Sequence, residues 1–148
     1  MRFASLARLD PLAHGTDAAL FVTRVCVGAF LVWGVWDNIT NPEDMQKFAA
    51  FLKQFGFPWP QVMAPFDVAV QFLCGLLIFA GLFTRWAGLL CAINFVVAIA
   101  MVDRHAGLRA SFPALSLVLI GLILATYGPG RLSFDAILFR RTSGLRRS

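Results

Sequence analysis

Four long apolar runs organise the chain, and its polar residues fall mostly in the breaks between them. Residues 18–39 form the first run, interrupted once by Arg24. Val68–Phe83 and Trp86–Val102 form the second and third, separated only by Thr84 and Arg85, and Phe112–Tyr127 forms the fourth. A helix of 16 or 17 residues rises roughly 25 Å, slightly short of a ~30 Å hydrocarbon core, and spans it once flanking residues reach for the interface. The runs predict transmembrane helices over 18–39, 65–83, 86–102 and 112–127, the second opening near Pro65. The middle pair reads as a hairpin with a very tight turn at Thr84-Arg85.

The segment between the first two spans has a different period. Asn41-Pro42-Glu43-Asp44 supplies a capping side chain, a proline at the first helical position and acids in the first turn. Met45, Phe48, Leu52 and Phe55 then recur at three- and four-residue spacing, with Gln46, Lys47, Lys53 and Gln54 on other faces and Gly56 as the stop. This predicts an amphipathic helix over 42–55 lying on the membrane. Phe57-Pro58-Trp59-Pro60 cannot continue it, so the segment forms a lid over one end of the bundle. After the fourth span, Gly128-Pro129-Gly130 ends the helix, and Ser133-Phe134-Asp135 can cap one more short interfacial helix. A basic tail, 128–148, closes with Arg140, Arg141, Arg146 and Arg147. The expected fold is an all-α membrane protein in a single domain: a four-transmembrane-helix bundle with an amphipathic interfacial helix between helices 1 and 2.

Composition excludes the soluble class: the chain is 59% hydrophobic and only 14% charged, with a mean hydropathy of +0.73. The net charge of +5 sits at the chain ends and in the hairpin turn rather than along one face. That is a topology and anionic-lipid signal, not a nucleic-acid footprint. With four spans, Arg2, Arg8, Arg85, Arg131, Arg140, Arg141, Arg146 and Arg147 share one side. Lys47, Lys53, Arg104 and Arg109, diluted by Glu43, Asp44 and Asp103, share the other. The positive-inside rule therefore places both termini in the cytoplasm, with the chain in a bacterial inner membrane and the lid facing outward. Arg24, about two turns inside the first span, is expected to snorkel to the near interface. Asn94, midway along the third span, is expected to bond across helices. Cys26, Cys74 and Cys91 lack any CxxC spacing and read as buried small hydrophobes.

Several residues carry a family resemblance. Arg24-x3-Gly28-Ala29-Phe30 runs through Gly34 in the first span, and Gly56-Phe57-Pro58 precedes the second. Gly75-x5-Gly81-Leu82-x-Thr84-Arg85-x-Ala87 follows, and then Gly128-Pro129-Gly130-Arg131-x-Ser133-x-Asp135. Together, from about Arg24 to Asp135, they resemble the DoxX family of small four-helix membrane proteins. The resemblance implies association with membrane redox systems, including the small subunit of a thiosulfate:quinone oxidoreductase. Two positions depart from it: Asp37 stands where members often have lysine, and Gln71 where they often have glutamate. An acid and an amide thus replace an opposite-charge pair.

The outer ends of the spans gather Asp37, Asn38, Asp67, Gln71, Asp103, Arg104, His105 and Arg109. Asp67 and Gln71, four apart, share one helix face. Taken singly, these read as ordinary interfacial residues; taken as a cluster, they can meet a quinone headgroup beside an apolar slot for its tail. On that reading Asp67, Gln71 and His105 contact the headgroup or its proton path. Arg104 holds an acid charged, with Asp103, Asp37 and Asn38 beside them, and Trp36 and Trp59 line the approach. Arg24, Asn94 and Arg85 are structural polar residues. His14 and His105 fall on opposite sides, which argues against a bis-histidine haem. No metal-ligand spacing, nucleotide loop or nucleophile elbow is present; quinone is the cofactor that the polar cluster and the resemblance allow. The resulting expectation is a membrane subunit of a redox complex, without a redox centre of its own, that anchors an electron-donating partner. The alternative is a non-catalytic scaffold that docks a partner through the lid and polar cluster, and a homo-oligomer is compatible with either. A carrier role fits less well, because inverted repeats and broken helices are missing.

Overall fold

The computed structural model describes residues 15–102 and 107–138, and its regular structure there is entirely helical. Helix α1 is Thr16–Thr40, α2 is Pro42–Gln54, α3 is Pro60–Ala80, α4 is Thr84–Met101 and α5 is Leu108–Tyr127. A short α6 covers 134–138. Four of these, α1, α3, α4 and α5, are long and apolar enough to cross a membrane. The chain is a four-helix membrane bundle with α2 laid between its first two spans.

Local chemistry sets the helix ends. At α2 the Asn41 side chain accepts the Glu43 N–H at 3.0 Å and donates to Asp44 at 2.9 Å. Lys47 closes on Asp44 at 2.7 Å, so the lid starts where its capping sequence predicts. Helix α3 starts at Pro60, five residues before the expected Pro65. Pro65 lies just past the first turn, where a proline forgoes one backbone bond without ending the helix. Pro113 is accommodated in α5 in the same way. The hairpin turn also differs from expectation. Gly81 adopts φ 71° and caps α3, with its N–H bonded to Ile78 and that of Leu82 to Leu77. The turn is therefore Gly81–Phe83, and Thr84 and Arg85 are the first residues of α4. Glycine's freedom at positive φ, rather than the polarity of Thr84-Arg85, decides where the chain reverses.

Two glycine crossings pull the spans together in pairs. A Cβ on Gly28 of α1 would lie 2.7 Å from the Gly75 carbonyl oxygen of α3. A Cβ on Gly121 of α5 would lie 2.6 Å from the Gly88 oxygen of α4. Backbones approach this closely only where both helices lack side chains, the usual solution in lipid. The α1/α3 and α4/α5 pairs are accordingly the most extensive interfaces, and α3 meets α4 less closely. Leu31, Cys74, Ile78, Ala87, Cys91 and Leu124 form the shared core. Of the three cysteines, Cys74 and Cys91 are buried as expected, but Cys26 lies exposed on the outer face of α1. Helix α2 packs on α3 through Ala49, Leu52 and Ala64.

At the turn end, the segment after α5 folds back under the bundle. Arg24 does not snorkel: it is 1% exposed and its guanidinium donates to the Leu132 carbonyl. The Asp135 charge lies within electrostatic range of it, and the Phe21 ring is 5.8 Å away. A closing chain segment supplies partners inside the protein, so the long side chain has no need to reach the headgroups. The Asp135 carboxylate accepts the N–H groups of Phe83 and Thr84 at 2.9 and 3.0 Å. It thereby caps the first turn of α4 from 51 residues away and fixes Phe83 in its unusual φ of 47°. Asp17 accepts the Arg131 N–H at 2.8 Å, which brings the start of α1 and the segment after α5 to the same end. Arg85 reaches the Ala125 and Tyr127 carbonyls at 3.5 Å, where a cation suits the last turn of α5.

Candidate functional site

The looser seam between α3 and α4, at the end away from the turn, is open. A cavity of about 480 Å³ lies there under the lid, within the roughly 300–1,000 Å³ common for small-molecule sites. Its walls come from α2, the loop at Phe57, α3 and α4. Phe48 and Leu52, on the apolar face of α2, pack down onto α3, and Phe51 closes the cavity beside them from the lid. From α4, Leu90, Asn94, Val97 and Ala98 recur at helical spacing and line one wall of it. Phe66, Leu90, Ile93 and Val97 on the rim are also exposed on the outer surface. The cavity therefore opens sideways, toward the surface that the spans present to lipid.

Within this apolar chamber, three described residues are strongly polar: Asp67 and Gln71 on α3, and Asn94 on α4. Asp67 on α3 and Asn94 on α4 line the chamber from opposite sides of the seam, near enough for the amide to interact with the Asp67 carboxyl group. Gln71 directs its amide nitrogen 3.4 Å toward the Leu31 carbonyl of α1; that nitrogen also lies 3.4 Å from where a Cβ on Gly34 would stand. A lone carboxylate or amide at this depth is costly unless it finds a partner; Gln71 has the Leu31 carbonyl, and Asp67 and Asn94 lie within reach of each other. Polar wall and glycine crossings are related: where Gly28/Gly75 and Gly88/Gly121 zip the outer pairs, the middle seam has longer side chains and stays apart.

The structure brings together only part of the cluster expected from sequence. Asp67 and Gln71 line the cavity side by side. Asp37 is exposed on α1, and Asn38 bonds the Asp44 carbonyl at 3.2 Å, joining α1 to α2 rather than facing the chamber. Trp36 lines a separate, shallow groove of about 400 Å³ between α1 and α3, with Trp33, Leu76 and Phe79. Trp59 is 77% exposed where it precedes α3, at φ 43°. Arg109 is exposed near the start of α5. Asp103, Arg104 and His105 lie outside the described residues. Sequence reasoning gave Asn94 only a structural role; the structure places it in the chamber wall, across the seam from Asp67. Of the five phenylalanines of the wall, Phe48 belongs to the amphipathic face of the lid and Phe57 to its loop, both read from sequence, whereas Phe51, Phe66 and Phe95 went unnoticed; aromatic residues in a span carry no signal of which face they take. Among the described residues no group of three potential metal ligands comes together.

The family model for DoxX matches residues 19–104, more than half of the chain. The chain belongs to the DoxX family. The match runs from α1 through α4, so it contains every element that builds the cavity; α5 and the arginine-bound segment after it lie beyond. Comparison with curated proteins and with solved structures gave no match. The assignment establishes a DoxX membrane protein with four spans, and the chemistry of this member must be argued from its own residues.

Proposed function

We propose that this DoxX protein is the membrane subunit of a redox complex and seats a quinone-type molecule in the lid cavity, beside a partner that donates electrons. The observation that carries this reading is the chamber itself: about 480 Å³, walled by five phenylalanines, open toward lipid, with Asp67, Gln71 and Asn94 at one side. An aromatic slot of this size with a few convergent polar groups suits a flat lipophilic headgroup that arrives from the bilayer. On this reading the chain's own part is binding and placement. The arginine distribution supports an inner-membrane orientation with both termini cytoplasmic, the lid and cavity then lying toward the outer face.

Native mass spectrometry of the protein released gently from its own membranes tests this reading. A bound quinone mass, or a stoichiometric oxidoreductase subunit, is the expected result. A bare oligomer carrying only phospholipid would overturn it in favour of a scaffold. Replacing the walls provides the second arm: Gln71→Leu and Ala98→Trp, which remove a polar group and fill the chamber, should each abolish the quinone mass while leaving the protein monodisperse.

A further inference from the structure

The segment that closes the turn end is inverted relative to a surface that faces water. Between Arg131 and Leu138 the polar side chains are the buried ones: Ser133 is 7% exposed and Asp135 8%. Ser133 donates to the Gly130 carbonyl at 2.8 Å, and Asp135 accepts the Phe83 and Thr84 N–H groups. The large apolar side chains are turned outward instead, with Leu132, Phe134, Ile137 and Leu138 all 52–59% exposed. Water would hydrate all four at a cost that nothing on this surface offsets. The same end also exposes Phe83 in the hairpin turn, Trp86 in the first turn of α4 and Tyr127 at the end of α5. Tryptophan and tyrosine settle at the headgroup level of a bilayer.

Cations border this apolar face. Arg85 and Arg131 are exposed, and Arg85 engages the Ala125 and Tyr127 carbonyls only at 3.5 Å. Asp17 and Asp135, the acids at this end among the described residues, are each engaged with backbone N–H groups. Arg140 and Arg141 follow Leu138 by two and three residues, so chain length keeps their Cα atoms within about 11 Å of it. We propose that residues 131–138, together with Arg85 and the arginines that follow, form a binding surface for anionic phospholipid. The four apolar side chains enter the acyl region of the leaflet at the turn end, and the guanidinium groups hold lipid phosphates at its border. An apolar protein face would match the side chains but not the cations, whereas an anionic leaflet matches both. Each arginine near such a surface strengthens binding roughly fivefold. The surface is independent of what fills the lid cavity.

The test places the full-length protein in nanodiscs of mixed phosphatidylcholine and phosphatidylglycerol and counts the lipids it retains by native mass spectrometry. Phosphatidylglycerol should be enriched at least about fivefold over its share in the disc. The triple variant Arg85→Gln, Arg140→Gln, Arg141→Gln, with its fold checked by far-UV circular dichroism, should return it close to that share. A second arm reads position. Cys74 and Cys91 are buried, so Phe134→Cys in a Cys26→Ala background takes a nitrobenzoxadiazole label at one place. Its fluorescence should be quenched by a nitroxide high on the acyl chain and protected from acrylamide in the water. Absence of enrichment in the wild type, or acrylamide quenching as strong as that of the free dye, would overturn the proposal. Energy transfer between copies labelled there with donor and acceptor would also overturn it, assigning the face to a second copy of the chain.

Discussion

Asp135 stands at a junction of three contacts, and its removal gives the sharpest test of how the bundle is held. Its carboxylate accepts the Phe83 and Thr84 N–H groups at 2.9 and 3.0 Å, and its own N–H donates to the Gly81 carbonyl at 2.9 Å. Asp135→Ala keeps the backbone bond and deletes both carboxylate bonds. Each such bond to a charged acceptor is worth about 1.5–3 kcal/mol, and the two amides that lose it sit at the start of a membrane helix with few substitutes. Arg24, 1% exposed, also loses the negative charge that acts on it. The two lost bonds alone set the expected cost of Asp135→Ala at about 3–6 kcal/mol. The assay is reversible unfolding in mixed micelles of rising SDS fraction, followed by far-UV circular dichroism. Arg24→Met provides a double-mutant cycle, in which the double variant should recover at least about 1 kcal/mol relative to the sum of the singles. A loss below about 0.5 kcal/mol for Asp135→Ala, or simple additivity in the cycle, would refute the reasoning and leave the turn-end contacts without energetic weight.

The glycine crossings and the orientation give further predictions. Gly121→Ala places a methyl group 2.6 Å from the Gly88 oxygen, where only backbone could yield. It should cost about 1–3 kcal/mol in the same assay despite alanine's better helix propensity, whereas Gly34→Ala, which meets only the end of Gln71 at 3.4 Å, should be close to neutral. Equal effects would show that the crossings are not tight. A green fluorescent protein fused after residue 148 should be bright in intact cells and a periplasmic alkaline phosphatase fused there inactive; the reverse pattern would invert the proposed orientation.

Much of the fold was legible because lipid imposes simple rules. Long apolar runs must become helices, Asn41-Pro42 opens one, and the mixed face of Met45, Phe48, Leu52 and Phe55 must lie flat. The hairpin turn was misplaced because Thr84-Arg85 is the polar break in the run, whereas the chain reverses where Gly81 can adopt positive φ. Arg24 was misjudged for a related reason. Snorkelling is a property of one helix, but its partners, Leu132 and Asp135, are over 100 residues away and no local pattern announces them. The site divides in the same manner. Asp67 and Gln71 share a face by spacing alone, so their pairing was readable. That Asn94 stands across the seam from Asp67, and that the seam between α3 and α4 opens into a chamber, depends on which helix pairs carry the facing glycines. That is a property of the assembled bundle.

The claim on which the rest of the account depends is that a quinone-type molecule occupies the lid cavity. The direct measurement is photocrosslinking in native membranes with an azidoquinone, followed by mass-spectrometric mapping of the labelled peptides. The account predicts label confined to residues 63–71 of α3, 90–98 of α4 and 48–57 of the lid, competed by unlabelled quinone and lost in Ala98→Trp. Label spread evenly over the lipid-facing surfaces, or concentrated in the Trp33/Trp36 groove and unaffected by Ala98→Trp, would contradict it.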